Sequence, residues 1–100
     1  MALEIRENRG IYEILGTVSS QNLGALKIYF DSALEINEHM VISLERVTKM
    51  DSSSALFFEK LYKDACKQNK VVSIVGRQNH DIRSIMNTTN TEYILSSDRV

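Results

Sequence analysis

Between Thr48 and Phe58 the sequence reads TKMDSSSALFF, one acidic residue and three consecutive serines set between an apolar run, Met40–Leu44, and a long amphipathic segment, Ser54–Asn69. Two kinds of chemistry fit a hydroxyl cluster at the start of a helix. The serines can satisfy amide groups that the first helical turn leaves without acceptors. Alternatively, one of them can carry a phosphate, whose charge of about −1.5 to −2 is well placed at the positive end of a helix dipole. Asp51 is suited to the N-cap position, where its carboxylate accepts a hydrogen bond from a first-turn amide. Met50 and Ala55 fall where a hydrophobic staple would sit, although alanine makes a weak one.

Other site chemistries find no support in the residue pattern. The glycines, Gly10, Gly16, Gly24 and Gly76, are scattered, and no phosphate-cradling glycine loop is formed. His39 and His80 are solitary, without partners at metal-ligand spacing and without an orienting carboxylate that would activate Ser52–Ser54 as nucleophiles. Gly16-Thr17-Val18-Ser19 lacks the acidic pair that a phospho-aspartate receiver carries after its first strand. The chain is therefore read as non-enzymatic, with no catalytic residue, cofactor or metal.

Composition narrows the partners. With 12 basic and 13 acidic residues the net charge is −1, so no overall field favours nucleic acid or an anionic membrane. The single cysteine, Cys66, has no internal disulfide partner and is expected as a partly buried thiol within a helix. MALEIRENRG has no apolar core of a signal peptide, and no uncharged apolar run approaches the ~20 residues of a membrane span. A cytoplasmic protein without membrane insertion is expected, one domain over residues 1–100.

The elements that must position the serines follow from periodicity. Leu3–Arg6 and Ile11–Leu15 flank the turn signal Asn8-Arg9-Gly10 and predict an antiparallel hairpin, with Gly16 ending its second strand. Ser19 or Ser20 caps a helix to about Leu34, with Leu23, Leu26, Phe30, Ala33 and Leu34 as the buried stripe. Ile28 falls off that stripe and is read as a singly exposed apolar residue, with a contact surface as the alternative. Glu35–His39 is a loop, and Val41, Ile42 and Leu44 predict a short central parallel strand covered on both faces.

In the helix after Asp51, the residues Ala55, Phe57, Phe58, Leu61, Tyr62, Ala65 and Cys66 share one broad face. Leu56 lies amid the charges of the other face, and is either a lone exposed leucine or a partner contact. Val71–Val75 is a second buried strand ended by Gly76. A third helix begins near Asn79 with Ile82, Ile85 and Met86 inward, Thr88–Thr91 is a turn, and Tyr93–Leu95 is a final short strand before a loose tail. The order β-β-α-β-α-β-α-β is that of a small α/β domain with a mainly parallel sheet and an N-terminal antiparallel hairpin.

This order and the residues around Asp51 resemble the STAS domain family, in particular its stand-alone anti-sigma factor antagonists, over nearly the whole chain. The matching parts are Gly16-Thr17-Val18-Ser19, the strand Val41-Ile42-Ser43-Leu44, and Val47-Thr48-Lys49-Met50-Asp51-Ser52-Ser53-Ser54, which is similar to the family's D-S-S-G motif. Val71–Gly76 with Ile82, Ile85 and Met86 fits the next strand and helix. The resemblance implies that Ser53 is the phosphorylation site, with Ser52 and Ser54 as lesser candidates. It also implies a partner-binding surface of Ser52, Ser53, Ser54 and Leu56. By the same resemblance the partner is an anti-sigma factor with serine-kinase activity, bound when the chain is unphosphorylated and released on phosphorylation, and a phosphatase resets the switch. Some family members act instead as unphosphorylated scaffolds or as subunits of transporter-associated or stress-sensing complexes. The chain departs from the family's pattern at Ser54, in place of the motif's glycine, and at Ser19 and Ser43, where the family often carries acidic or amide residues.

Overall fold

The computed structural model describes residues 3–96, in which the elements run β1 (Glu4–Asn8), β2 (Ile11–Val18), a 3-10 turn (Ser20–Asn22), α1 (Leu23–Ile36), β3 (His39–Met50), α2 (Ser52–Lys67), β4 (Val71–Val75), α3 (His80–Thr88) and a second 3-10 turn (Glu92–Ile94). The strands form one sheet in the order β1-β2-β3-β4. β1 pairs antiparallel with β2, and β2-β3 and β3-β4 pair parallel. Arg9 and Gly10 both have positive φ, 55° and 83°, as a two-residue hairpin turn twisted with its strands requires.

Each parallel crossover steps to the next strand in the same direction. Crossovers of one hand then lay α1 and α2 on the same face of the sheet. The packing agrees: Leu26 and Phe30 of α1, Ala55, Phe58 and Leu61 of α2, and Ile82 and Met86 of α3 join Tyr12, Ile14, Val18, Met40, Ile42, Leu44, Val72 and Ile74 in a single core. The alternate residues of β2 and β3, among them Ile11, Glu13, Leu15, Val41 and Ser43, are only half-buried. β3 is thus covered on one face, not on both as its apolar run suggests.

β3 is also far longer than Val41–Leu44. It runs twelve residues, taking in His39 from the expected loop, and α1 extends two residues beyond Leu34 to Ile36. The pairing with β2 shifts twice, between Glu13 and Leu15 and again between Gly16 and Thr17, so that β3 supplies an extra residue at each point. Such bulges increase twist and re-aim the rest of the strand. Gly16 sits between them at φ 93°, a conformation open to glycine, and β2 continues to Val18 instead of ending there.

Two further expectations are corrected. Cys66 is exposed, because the buried stripe of α2 passes through Ala55, Phe58, Leu61 and Ala65 and leaves the next residue beyond its edge. Tyr93–Leu95 is not a strand: Glu92–Ile94 forms a 3-10 turn, and Leu95 makes one parallel bridge to Ile74, with Ser96 N donating to Ile74 O at 2.7 Å. The tail expected after Leu95 lies, beyond Ser96, outside the described residues, as do Met1 and Ala2.

Candidate functional site

Three helix starts gather at the carboxyl ends of β2, β3 and β4, where each chain reversal must find acceptors for first-turn amides. At the middle one β3 delivers Asp51 directly, with φ −97° and ψ 173°, into the N-cap position of α2. Asp51 Oδ1 accepts from Ser54 N at 2.9 Å and from the Ser54 hydroxyl at 2.6 Å. Its other oxygen accepts from Ser20 N at 3.0 Å, tying the start of α2 to the turn that follows β2. These donors, the Ser54 hydroxyl foremost, favour the ionised carboxylate over the opposing effect of burial and hold the Asp51 carboxyl below its usual range.

The serine run is split by the helix. Ser54 is fully buried, and its hydroxyl reaches Val18 O at 3.1 Å as well as Asp51, closing the gap between β2 and α2. It offers no surface to a partner and lies inside the cap. Ser52 and Ser53 are exposed on the first turn, and Leu56, one turn on, is 49% exposed. The residues singled out from the sequence therefore come together at one pole of α2, with Ser54 facing in and Ser52, Ser53 and Leu56 facing out.

The neighbouring starts are built differently. Ser19 N donates to Asn22 Oδ1 at 3.0 Å, and the Asn22 amide donates to Thr17 O at 3.1 Å, closing the 3-10 turn before α1. Asn79 caps α3 by accepting from Ile82 N at 3.3 Å, while its Nδ2 faces the carbonyl oxygens of Leu44, Val47 and Glu45 at 3.0, 2.9 and 3.3 Å. Asn79 thus clamps the stretch of β3 around its first bulge. Sequence reading locates the helix start at Asn79 but not the clamp, since the accepting carbonyls are freed by a bulge with no residue signature. The Ser20 contact is equally hidden, because it is made by a backbone amide.

Among the described residues no group of three or more His, Cys, Asp or Glu is placed to hold a metal ion, and no helix is long and apolar enough to cross a membrane. His39 opens β3 with Nε2 3.3 Å from Ser73 Oγ.

Compared with known proteins, residues 1–100 match the model of the STAS domain family. Among solved structures, the unphosphorylated form of the anti-sigma factor antagonist SpoIIAA superposes with a TM-score of 0.74 at 12% identity, covering 98% of this chain and 89% of that one. An anti-sigma factor antagonist from Mycobacterium paratuberculosis gives 0.75 at 15% identity, covering 94% and 81%. An uncharacterized protein with a SpoIIAA-like fold from Shewanella loihica gives 0.52 at 19% identity, covering 88% and 78%. No curated protein matches the sequence. At these identities the likeness is one of fold.

Proposed function

Since the chain belongs to the STAS domain family, we propose that it is an anti-sigma factor antagonist that works by partner switching, a regulatory binding protein and not an enzyme. Its partner in this reading is an anti-sigma factor with serine-kinase activity, held at the pole of α2 by Ser52, Ser53 and Leu56. Ser53 is the phosphate acceptor and a phosphatase returns it to the binding state. The observation that carries the reading is the division of the serine run: a buried Ser54 locked to Asp51 and Val18, beside exposed hydroxyls on Ser52 and Ser53.

The physics of such a switch is local. A hydroxyl on the first turn can be docked against a partner at little cost, and the half-exposed Leu56 adds apolar contact beside it. A phosphate there brings about two negative charges and a hydration shell that docking must strip away. It also stands within a turn of the ionised Asp51, which is fixed by its three donors and cannot retreat. The free state keeps the phosphate in water at the positive helix end, whereas the complex would bury it, so phosphorylation weakens binding without remodelling the fold.

The test is intact mass and site mapping on protein purified from its native host, with a pull-down using wild type, Ser53→Ala and Ser53→Asp. One phosphate on Ser53, with the Asp variant losing a kinase partner that the Ala variant keeps, is the expected result. No phosphate under any growth condition and identical partners for all three forms would overturn the switch and leave the serines as the helix cap of a constitutive scaffold.

A further inference from the structure

Among the described residues the large apolar side chains left exposed are Ile28, Tyr29, Ile36, Leu56, Val71 and Tyr93. The first three belong to α1, and Val71 opens β4 at the end of the sheet away from the serines. The other two are both carried by α2, Leu56 directly and Tyr93, 56% exposed, by a clamp. Tyr93 belongs to the second 3-10 turn and donates its hydroxyl to Glu59 Oε2 at 2.5 Å, with its ring edge-on to Tyr62 at 6.5 Å between centroids. We infer that the surface presented to the anti-sigma factor runs past Leu56 onto Tyr93, whose ring is an aromatic anchor seated in an apolar pocket of that partner, an extension that rests on the partner-switching reading.

Continuity along the helix supports it. Glu59 is three residues, one turn, beyond Leu56, and Tyr93 lies against it, so ring and leucine are neighbours on one side of α2. Ser52, Ser53 and Leu56 are also too few for a specific interface, which takes roughly 800 Å² from each partner, so a protein seated on them must spread. Toward α1 it meets Lys60, 73% exposed at its side chain and paired with Asp64 at 3.0 Å, charges of the kind that interfaces avoid. On the other flank it meets Tyr93.

The clamp suits the ring to that task. The buried Ile94 and Leu95 already fasten the turn to the core, so packing does not account for an aromatic ring left mostly in solvent beside them. A tyrosine held at its hydroxyl has little freedom left to lose on docking, and tyrosine is among the residue types that dominate binding energy. The hydrogen bond to Glu59, foremost, holds the Tyr93 hydroxyl above its usual range, so it remains a donor across neutral pH. Lys63 Nζ stands 3.7 Å from the same Glu59 oxygen, and the Glu59 side chain is only 20% exposed. A partner that covers Glu59 therefore strands no unpaired charge.

The test is calorimetric titration of the purified kinase partner, the one that Ser53→Ala captures, with wild type, Ser53→Asp, Tyr93→Ala, Tyr93→Phe and, as a control on α1, Ile28→Ala. Tyr93→Ala should weaken binding about tenfold or more, and Tyr93→Phe, which keeps the ring but frees it from Glu59, only about threefold. Ile28→Ala should bind as wild type. Melting temperatures taken alongside separate this from a purely structural clamp, which both Tyr93 variants break equally and which would weaken binding equally in the two. Equal weakening, or Tyr93→Ala binding as wild type while Ser53→Asp loses the kinase, overturns the anchor and leaves partner switching standing. Ser53→Asp binding as tightly as wild type overturns the switch, and the anchor with it.

Discussion

The starts of α2 and α3 stand at the ends of adjacent parallel strands, and each is capped by one short polar side chain, yet the two caps spend their polar atoms in opposite ways. Asp51 only accepts: Ser54 N, the Ser54 hydroxyl and Ser20 N all donate to it. Asn79 accepts once, from Ile82 N, and otherwise donates, to carbonyls of β3. One cap is a charged hub that gathers its neighbours' donors and leaves the Ser52 and Ser53 hydroxyls exposed on the first turn. The other is consumed by holding the sheet together. A polar residue at a helix start is therefore a poor guide to function until its donors and acceptors are accounted for.

The contrast is broken most violently at Asn79. Asn79→Ala removes the α3 cap and the two amide protons shared among Leu44 O, Glu45 O and Val47 O, which at about 1 kcal/mol for the cap and for each proton predicts a loss of roughly 3 kcal/mol in urea unfolding. Asn79→Asp keeps the cap but sets a carboxylate against carbonyl oxygens, so at neutral pH it should be no more stable than the alanine variant. Repulsion raises that carboxyl's folded-state pKa, and the Asn79→Asp variant should regain stability as acidification protonates it. If Asn79→Asp proved as stable as wild type at neutral pH, Asn79 would be no clamp.

At Asp51 the same exchange run backwards should be mild. Asp51→Ala costs about 1–2 kcal/mol as a lost N-cap, whereas Asp51→Asn, an equally good cap, costs less than about 1 kcal/mol. The pH dependence has the opposite sign to that of the Asn79→Asp variant. The Asp51 carboxyl is held below its usual value, chiefly by the Ser54 hydroxyl, so its contribution is complete above the unfolded-state value near ~4 and is lost as pH falls through the folded value. Asp51→Asn should remove that part of the acid-unfolding profile, and an unchanged profile would mean that the carboxylate's charge does not contribute.

Ser54→Ala comes next, with an expected cost of about 1–2 kcal/mol for a buried hydroxyl whose loss leaves Val18 O only the longer bond, 3.4 Å, from Asp51 N. Because that hydroxyl is the largest influence on Asp51, the carboxyl should titrate closer to its ordinary value in the variant, which NMR titration of the Asp51 side chain would follow. A carboxyl that titrates as in wild type would separate the two residues and dissolve the hub.

How far the sequence shows this is itself uneven. The hairpin, the helices, the four paired strands and Asp51 as a cap are legible because each rests on local signals: the Asn8-Arg9-Gly10 turn, 3.6-residue stripes, and an acidic residue ahead of a serine run. What escapes depends on register between strands. The two bulges lengthen β3 to Met50 and place Gly16 inside β2, and no local pattern announces them. The bare face of the sheet escapes for a related reason, since Val41, Ile42 and Leu44 form an apolar run whichever faces are covered, and only the order of the strands decides. At the site, the run Ser52–Ser54 reads as three equivalent hydroxyls, and the division into one inside and two outside appears only once the helix phase is fixed by Ala55 and Phe58 in the core.

Ser53 should show the smallest effect on folding and for that reason gives the cleanest reading of function. Its side chain is exposed on a first turn whose cap is provided by Asp51 and Ser54, so Ser53→Ala should leave stability within about 0.5 kcal/mol of wild type. Ser53→Asp should be neutral or slightly stabilising, because an acidic group in the first turn meets the positive end of the helix dipole at a gain of about 0.3–1 kcal/mol, reduced by the nearby Asp51. If both variants melt with wild type, any difference in partner capture between them reports on the surface and not on folding. A Ser53→Ala variant that lost more than about 1 kcal/mol, a cost typical of a lost cap, would place Ser53 with Ser54 among the structural hydroxyls, and the division of the serine run would no longer mark a binding surface.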